Sequence, residues 1–116
     1  CGYCRKLHTE VPTLNAAGLQ VRYMAFPRSG IDSKTYHTMV SVWCSDDQKS
    51  ALTEAKLGRY PEETSCSNPV SDQYSLGKEV GVAGTPTIIT DTGETIPGYM
   101  PADALLTHLG IVQPEK

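Results

Sequence analysis

No stretch of this chain approaches the roughly 20 consecutive apolar residues that a membrane-spanning helix needs, and the N-terminal residues do not have the pattern of a secretory leader. Cations are not clustered either: ten Lys and Arg are scattered against thirteen Asp and Glu, for a formal net charge of −3. A nucleic-acid or anionic-membrane partner needs a basic patch, so neither is expected. Internal repeats and low-complexity tracts are missing. An initiator Met is missing too, and a reactive motif at residue 1 has nothing upstream to position it, so the chain reads as the later part of a longer protein. What is there, 116 residues of which 39% are hydrophobic and 20% charged, suffices for one globular domain with a single core.

Helical and strand patterns alternate along it. Cys4, Leu7, Val11 and Leu14 recur at three- and four-residue spacing, one apolar helix face ending near Gly18, and Pro12 inside it predicts a kink near residues 8 to 12 rather than a break. "LQVRYMAF", residues 19–26, is rich in β-formers and stopped by Pro27, which predicts a buried strand. A helical insert of about residues 32–66 follows. Asp32 and Ser33 are its candidate caps, and Tyr36, Met39, Val40 and Trp43 form its stripe. Ser45 and Gln48 make a candidate capping box for a second helix running to Gly58, unless the two are one bent helix.

Asn68 and Pro69 open a further helix that carries Val70, Tyr74 and Val80 and stops at Gly81. "TPTIIT", residues 85–90, and "TIPG" are then joined through a turn at "DTGE" as an antiparallel hairpin. A last helix from about Pro101 buries Leu105, Leu106 and Leu109 and ends at Gly110. The order of helix, strand, helices, strand, strand and helix predicts an α/β layer fold.

The opening "CGYCRKLH" poses the chemical question. A zinc site usually takes four ligands in two short-spaced pairs, but Cys44 and Cys66 lie 22 positions apart, and His8, His37 and His108 are scattered. No metal or cofactor is therefore expected. A purely structural bridge between Cys1 and Cys4 would close almost no chain and contribute little.

Redox chemistry accounts for more. With a helix starting at about Gly2, Cys1 sits where unpaired N–H groups and the helix dipole favour a thiolate, and Cys4 lies one turn on, more buried, close enough to attack a mixed disulfide. Cys1 is the candidate nucleophile and Cys4 the candidate resolving thiol. Gly2 would allow close approach of a substrate, and Tyr3 is either an apolar shoulder, a hydrogen-bond donor or an ordinary exposed turn residue. Thr85-Pro86, opening a strand after Gly84, is expected to be a cis bond.

Taken together, "CGYCRKLH", "VRYMAFPRSG", "WC", the distant Cys66, "YSLGKEVGVAGTPTII" and "IPGYMP" resemble the catalytic domain of the bacterial periplasmic disulfide isomerases of the DsbC/DsbG family, over nearly the whole chain. The resemblance implies a thioredoxin-like fold with a helical insertion, residues 1–116 forming one catalytic domain that lacks the strand upstream of the C-x-x-C. That strand would lie between residues 19–26 and 86–90, and without it the 116 residues should not fold stably.

The resemblance further implies that Cys1 attacks and Cys4 resolves, that Gly2, Tyr3, Thr85 and Pro86 meet the substrate, and that Cys44 and Cys66 form a second, non-catalytic disulfide. Two free buried thiols are the alternative for that pair. The bridge would be buried beneath the inserted helices and resist reduction. Implied partners are misfolded disulfide-containing proteins, a membrane-bound, DsbD-like thiol reductant, and a second copy of the protein, joined through an N-terminal domain absent from this sequence. The implied compartment is the periplasm, which agrees with two disulfides in so small a domain. A dithiol oxidase or DsbG-like reductase of the same fold, and a redox-inert module with structural cysteines, are the competing functions.

Overall fold

In a computed structural model of the chain, residues 2–111 are described, and they divide into two compact units. One is built from the residues up to Tyr23 together with those from Gly84 onward; the other is Met24–Ala83.

The first unit opens with α1, Gly2–Ala16, which passes through Pro12 without a break. The helix ends where the amides of Ala17, Gly18 and Leu19 turn back onto the carbonyls of Leu14 and Asn15, with Gly18 at φ +92°, a conformation open to glycine and strained for other residues. After the second unit the chain returns through Thr85-Pro86, a cis peptide, into β1, Thr87–Ile89, and β2, Thr95–Pro97. The two are antiparallel, with Ile88 opposite Ile96.

Their hairpin closes on itself. Thr90 and Glu94 bond across its neck at 2.9 Å, and Gly93 at φ +89° makes the reversal. α5, Ala102–His108, follows Pro101 and buries Leu105 and Leu106, while Leu109 is only partly covered. Leu14 of α1, Ile96 of β2 and the α5 leucines form the core of this unit, flanked by Leu7, Leu19, Val21 and Ile88.

The expected strand at 19–26 is corrected. Residues 19–25 keep the alternating burial of a strand, odd positions covered and even ones exposed, yet among the described residues no ladder includes them. Among the described residues, positions 20–26 make no backbone-to-backbone hydrogen bond, and the amide of Ala25 is satisfied instead by the Gln73 side chain at 2.7 Å. Side-chain alternation follows from extended geometry, whereas a ladder requires a backbone partner. β1 likewise pairs only with β2 among the described residues.

In the second unit, α2 (Lys34–Trp43) and α3 (Gln48–Lys56) are separate helices, and α4 is Val70–Glu79. Ser33 caps α2, accepting from the Tyr36 amide at 3.1 Å. The box expected at Ser45 and Gln48 does not form. Asp47 caps α3 by accepting from the Ser50 amide at 3.1 Å, while Ser45 donates back to the Ser41 carbonyl and Gln48 to that of Trp43. Both side chains close α2 rather than open α3, because the carbonyls at the end of a helix need donors as much as the amides at a start need acceptors.

Asn68 accepts from the Val70 amide at 3.0 Å, but α4 begins at Val70, one residue after the predicted start, with Pro69 rather than Asn68 in the capping position. Val70 is fully buried, but Val80 is 52% exposed and lies past the end of the helix. Ala25, Val40 and Val70 form the core, with Tyr36, Met39, Trp43 and Cys44 against it. Cys44 and Cys66 are joined in a disulfide. The expectation that it lies buried beneath the helices is corrected: Cys66 is exposed and Cys44 half-buried, because residues 59–67 run as irregular chain over the surface of this unit. Buried Ser41 pins the same segment, donating to the His37 carbonyl and accepting from the Thr64 amide, each at 3.1 Å.

Candidate functional site

The C-G-Y-C motif stands at the opening of α1, whose first residue is Gly2. Cys1 itself lies outside the described residues. Gly2 and Tyr3 are exposed in the first turn, and Cys4 is half-buried and held in a disulfide. Apart from its two chain neighbours and the backbone of its own helix, a Cβ built on Gly2 would meet none of the described residues within 4 Å, so there is open space beside Gly2. A helix N-terminus presents N–H groups without intrahelical acceptors, which together with the helix dipole favour a thiolate at that end. Arg5, next along, is exposed.

Thr85 and Pro86 lie in the same compact unit as the motif. Two bonds hold their loop: the Thr87 hydroxyl donates to the Gly84 carbonyl at 2.6 Å, and the Gly98 amide donates to the Pro86 carbonyl at 2.9 Å. The second ties the residue after β2 to the start of β1, and so carries the hairpin pairing up to the cis bond. Cys44 and Cys66 belong to the other unit.

Sequence reasoning missed a constellation on α1 and the loop after β2. The Tyr99 ring stacks on Tyr3 with centroids 5.7 Å apart and planes inclined at 22°. The Lys6 ammonium sits 5.2 Å from the centre of the Tyr99 ring. The Tyr99 hydroxyl donates to one oxygen of the Glu10 carboxylate, and the other accepts from the Ala102 amide at 3.1 Å. Glu10 therefore joins α1 to the first turn of α5.

That bond to Glu10, with partial burial and the negative charges of Glu10 and Asp103, pushes the Tyr99 phenol up to about 12. It is a donor across the whole physiological range. The sequence held a partial signal, since Tyr3, Lys6 and Glu10 recur at three- and four-residue spacing and share one side of α1.

A second pair lies further along α1. His8 Nδ1 and the Tyr23 hydroxyl are 2.5 Å apart, with the rings edge to face at 5.6 Å, and burial raises the Tyr23 phenol. Among the described residues no group of three or more His, Cys, Asp or Glu side chains is placed to hold a metal ion, and no helix is long and apolar enough to cross a membrane.

A unit with a C-x-x-C opening its first helix and a cis-proline leading into a hairpin defines a thioredoxin-like class, and the comparisons agree. The family model described as a thioredoxin-like domain matches residues 1–113, and the chain belongs to that family. It is 44% identical over 99 residues to the thiol:disulfide interchange protein DsbC of Salmonella typhimurium, covering 85% of this chain and 42% of that protein. To DsbC of Haemophilus influenzae it is 45% identical over 106 residues, 90% of this chain and 46% of the relative. The chain thus spans less than half the length of these relatives. The crystal structure of a disulfide interchange protein from Neisseria gonorrhoeae superposes with a TM-score of 0.78 at 27% identity, over 98% of this chain and 82% of that one.

Proposed function

We propose that this chain is the catalytic domain of a periplasmic thiol:disulfide interchange protein, an isomerase and reductase that rearranges wrong disulfides in secreted proteins. The reading rests on the C-G-Y-C motif at the start of α1, in a chain 42% to 45% identical to DsbC proteins over most of its length. In this proposal the Cys1 thiolate attacks one sulfur of a substrate disulfide. A mixed disulfide forms, the substrate S–S bond breaks, and the released substrate sulfur takes up a proton.

Two exits follow. A different substrate cysteine can attack the substrate sulfur of the mixed disulfide, which regenerates the Cys1 thiolate with no net redox change. Alternatively the Cys4 thiolate attacks Cys1, releasing reduced substrate and leaving Cys1 and Cys4 bridged; the two electrons given to the substrate must then be restored by a thiol reductant, which we place in a DsbD-like membrane partner. Gly2, Tyr3 and the Thr85-Pro86 loop receive the substrate, and Cys44–Cys66 is structural. The full protein acts as a homodimer through an upstream domain.

Refolding of a scrambled multi-disulfide protein tests the reading. The full-length protein should accelerate recovery, Cys1→Ser should abolish the effect, and Cys4→Ser should accumulate mixed disulfides with the substrate. Alkylation against pH should place the Cys1 thiol at about 3.5–7.5. A Cys1 that titrates as an ordinary exposed thiol, near about 8.5, would overturn the nucleophile assignment.

A further inference from the structure

Tyr3 is 64% exposed, a large ring facing water one residue before Cys4. An exposed aromatic side chain ordinarily samples several rotamers, but this one is held: its neighbour Tyr99 stacks on it at 5.7 Å and is itself fixed on two sides, by the Glu10 carboxylate at its hydroxyl and by Lys6 over its ring. Glu10 is in turn anchored by the Ala102 amide. The result is two rings nearly in parallel, on a support of one cation and one anion whose charges offset each other. For binding, such preorganisation matters because ordering a flexible side chain at the moment of contact costs affinity.

We propose that Tyr99 is a specificity-determining residue: with Tyr3 it forms an aromatic shelf beside the C-G-Y-C motif that receives an apolar or aromatic side chain adjacent to a cysteine of an unfolded substrate. The inference rests on the interchange function proposed above and goes beyond it by giving the substrate class a recognisable feature.

Adjacency in the chain sets the occupant. Because Tyr3 lies between the two motif cysteines, whatever touches it during exchange belongs to the residues flanking the substrate's own cysteine. Cysteine is among the residues most often found buried in native proteins, so apolar neighbours of a cysteine are covered in a correctly folded molecule and exposed in a misbridged one. A shelf that binds those neighbours distinguishes wrong disulfides from right ones without reading any sequence. The rings suit the task, offering apolar area at a low cost in conformational entropy.

A bracing role alone makes a different forecast. If Glu10, Tyr99 and Lys6 serve only to hold α1 to α5, their removal lowers stability and changes no preference among substrates.

The experiment uses the reduced full-length protein and three disulfides: oxidised glutathione, and the symmetric dimers of two short capped peptides in which the cysteine is followed by Phe or by Ser. Each turnover reduces one disulfide to two thiols and oxidises the motif, followed by thiol release in single-turnover mixing. The readout is the ratio of second-order rates for the Phe over the Ser dimer. We expect a ratio of about two- to tenfold, the range an offset aromatic pair supplies.

Tyr99→Ala and Tyr3→Ala should each bring the ratio towards one, and Tyr99→Phe, which keeps the ring and loses only the bond to Glu10, should retain most of it. Because Tyr3 is exposed, its truncation keeps the test valid even if Tyr99→Ala folds poorly. A ratio near one in the unaltered full-length protein, or one unchanged by Tyr99→Ala and Tyr3→Ala, overturns the shelf while leaving the interchange reading intact. Failure to reduce any of the three, glutathione included, overturns both.

Discussion

The hydroxyl of Tyr99 donates to the carboxylate of Glu10, 89 positions earlier in the chain. This is a long-range contact between a loop and the middle of a helix. One carboxylate thereby serves both the loop after β2 and the first turn of α5.

That pairing makes stability depend on alkaline pH with a definite sign. The Tyr99 phenol is raised from 10.0 to about 12, chiefly by the bond to Glu10, so the fold prefers the protonated form. Its contribution is complete below the unfolded value and is lost as pH rises through the folded one. Tyr23, raised by burial, acts in the same direction, so the comparison must be made against Tyr99→Phe. In urea unfolding, the stability gap between the unaltered full-length protein and its Tyr99→Phe variant should be constant up to about pH 10 and narrow above it. A gap that widens with pH would show that Tyr99 is not a donor here.

Gly77, inside α4, opposes two effects of known size. Replacing it with Ala would favour the helix by about 1 kcal/mol. Yet the added Cβ would lie 2.6 and 2.8 Å from two ring atoms of Phe26, whose ring is already packed against Tyr74 with centroids 5.0 Å apart. Overpacking of this kind costs about 1–3 kcal/mol, so Gly77→Ala should be net destabilising. Chemical denaturation measures it, and the double variant Gly77→Ala with Phe26→Leu should recover most of the loss.

Cys44 and Cys66 close a loop with a sequence separation of 22. In the chain-entropy account a loop of that length contributes about 3 kcal/mol by restricting the unfolded chain. The double variant Cys44→Ala with Cys66→Ala should lose about that amount in urea unfolding, with the motif cysteines still exchanging disulfides. A loss well under about 1 kcal/mol would mean that Ser41 and the helix contacts already hold residues 59–67 in place.

Much of this molecule is legible one segment at a time. The helix stops at Gly18, Gly58, Gly81 and Gly110 follow from local chemistry, and each of these glycines has positive φ. The hairpin was readable from its β-formers and Gly93, and the cis bond from Thr85-Pro86 in its sequence context. The C-G-Y-C motif and its place at a helix start could be found for the same reason: spacing and capping act within one turn.

Tertiary structure decided what depends on partners distant in the chain. Residues 19–26 carry the pattern of a strand, but whether a strand forms is settled by a neighbouring backbone, and among the described residues none pairs with them. Ser45 and Gln48 had the chemistry to cap α3 and instead close α2, because the end of one helix lies within reach of the same side chains. Cys66 is exposed because its segment runs over the surface, which composition does not reveal. Glu10 and Tyr99 have no local reason to be noticed as a pair; only the fold brings a carboxylate on α1 to a phenol after β2, and with it the ring that steadies Tyr3 beside the cysteines.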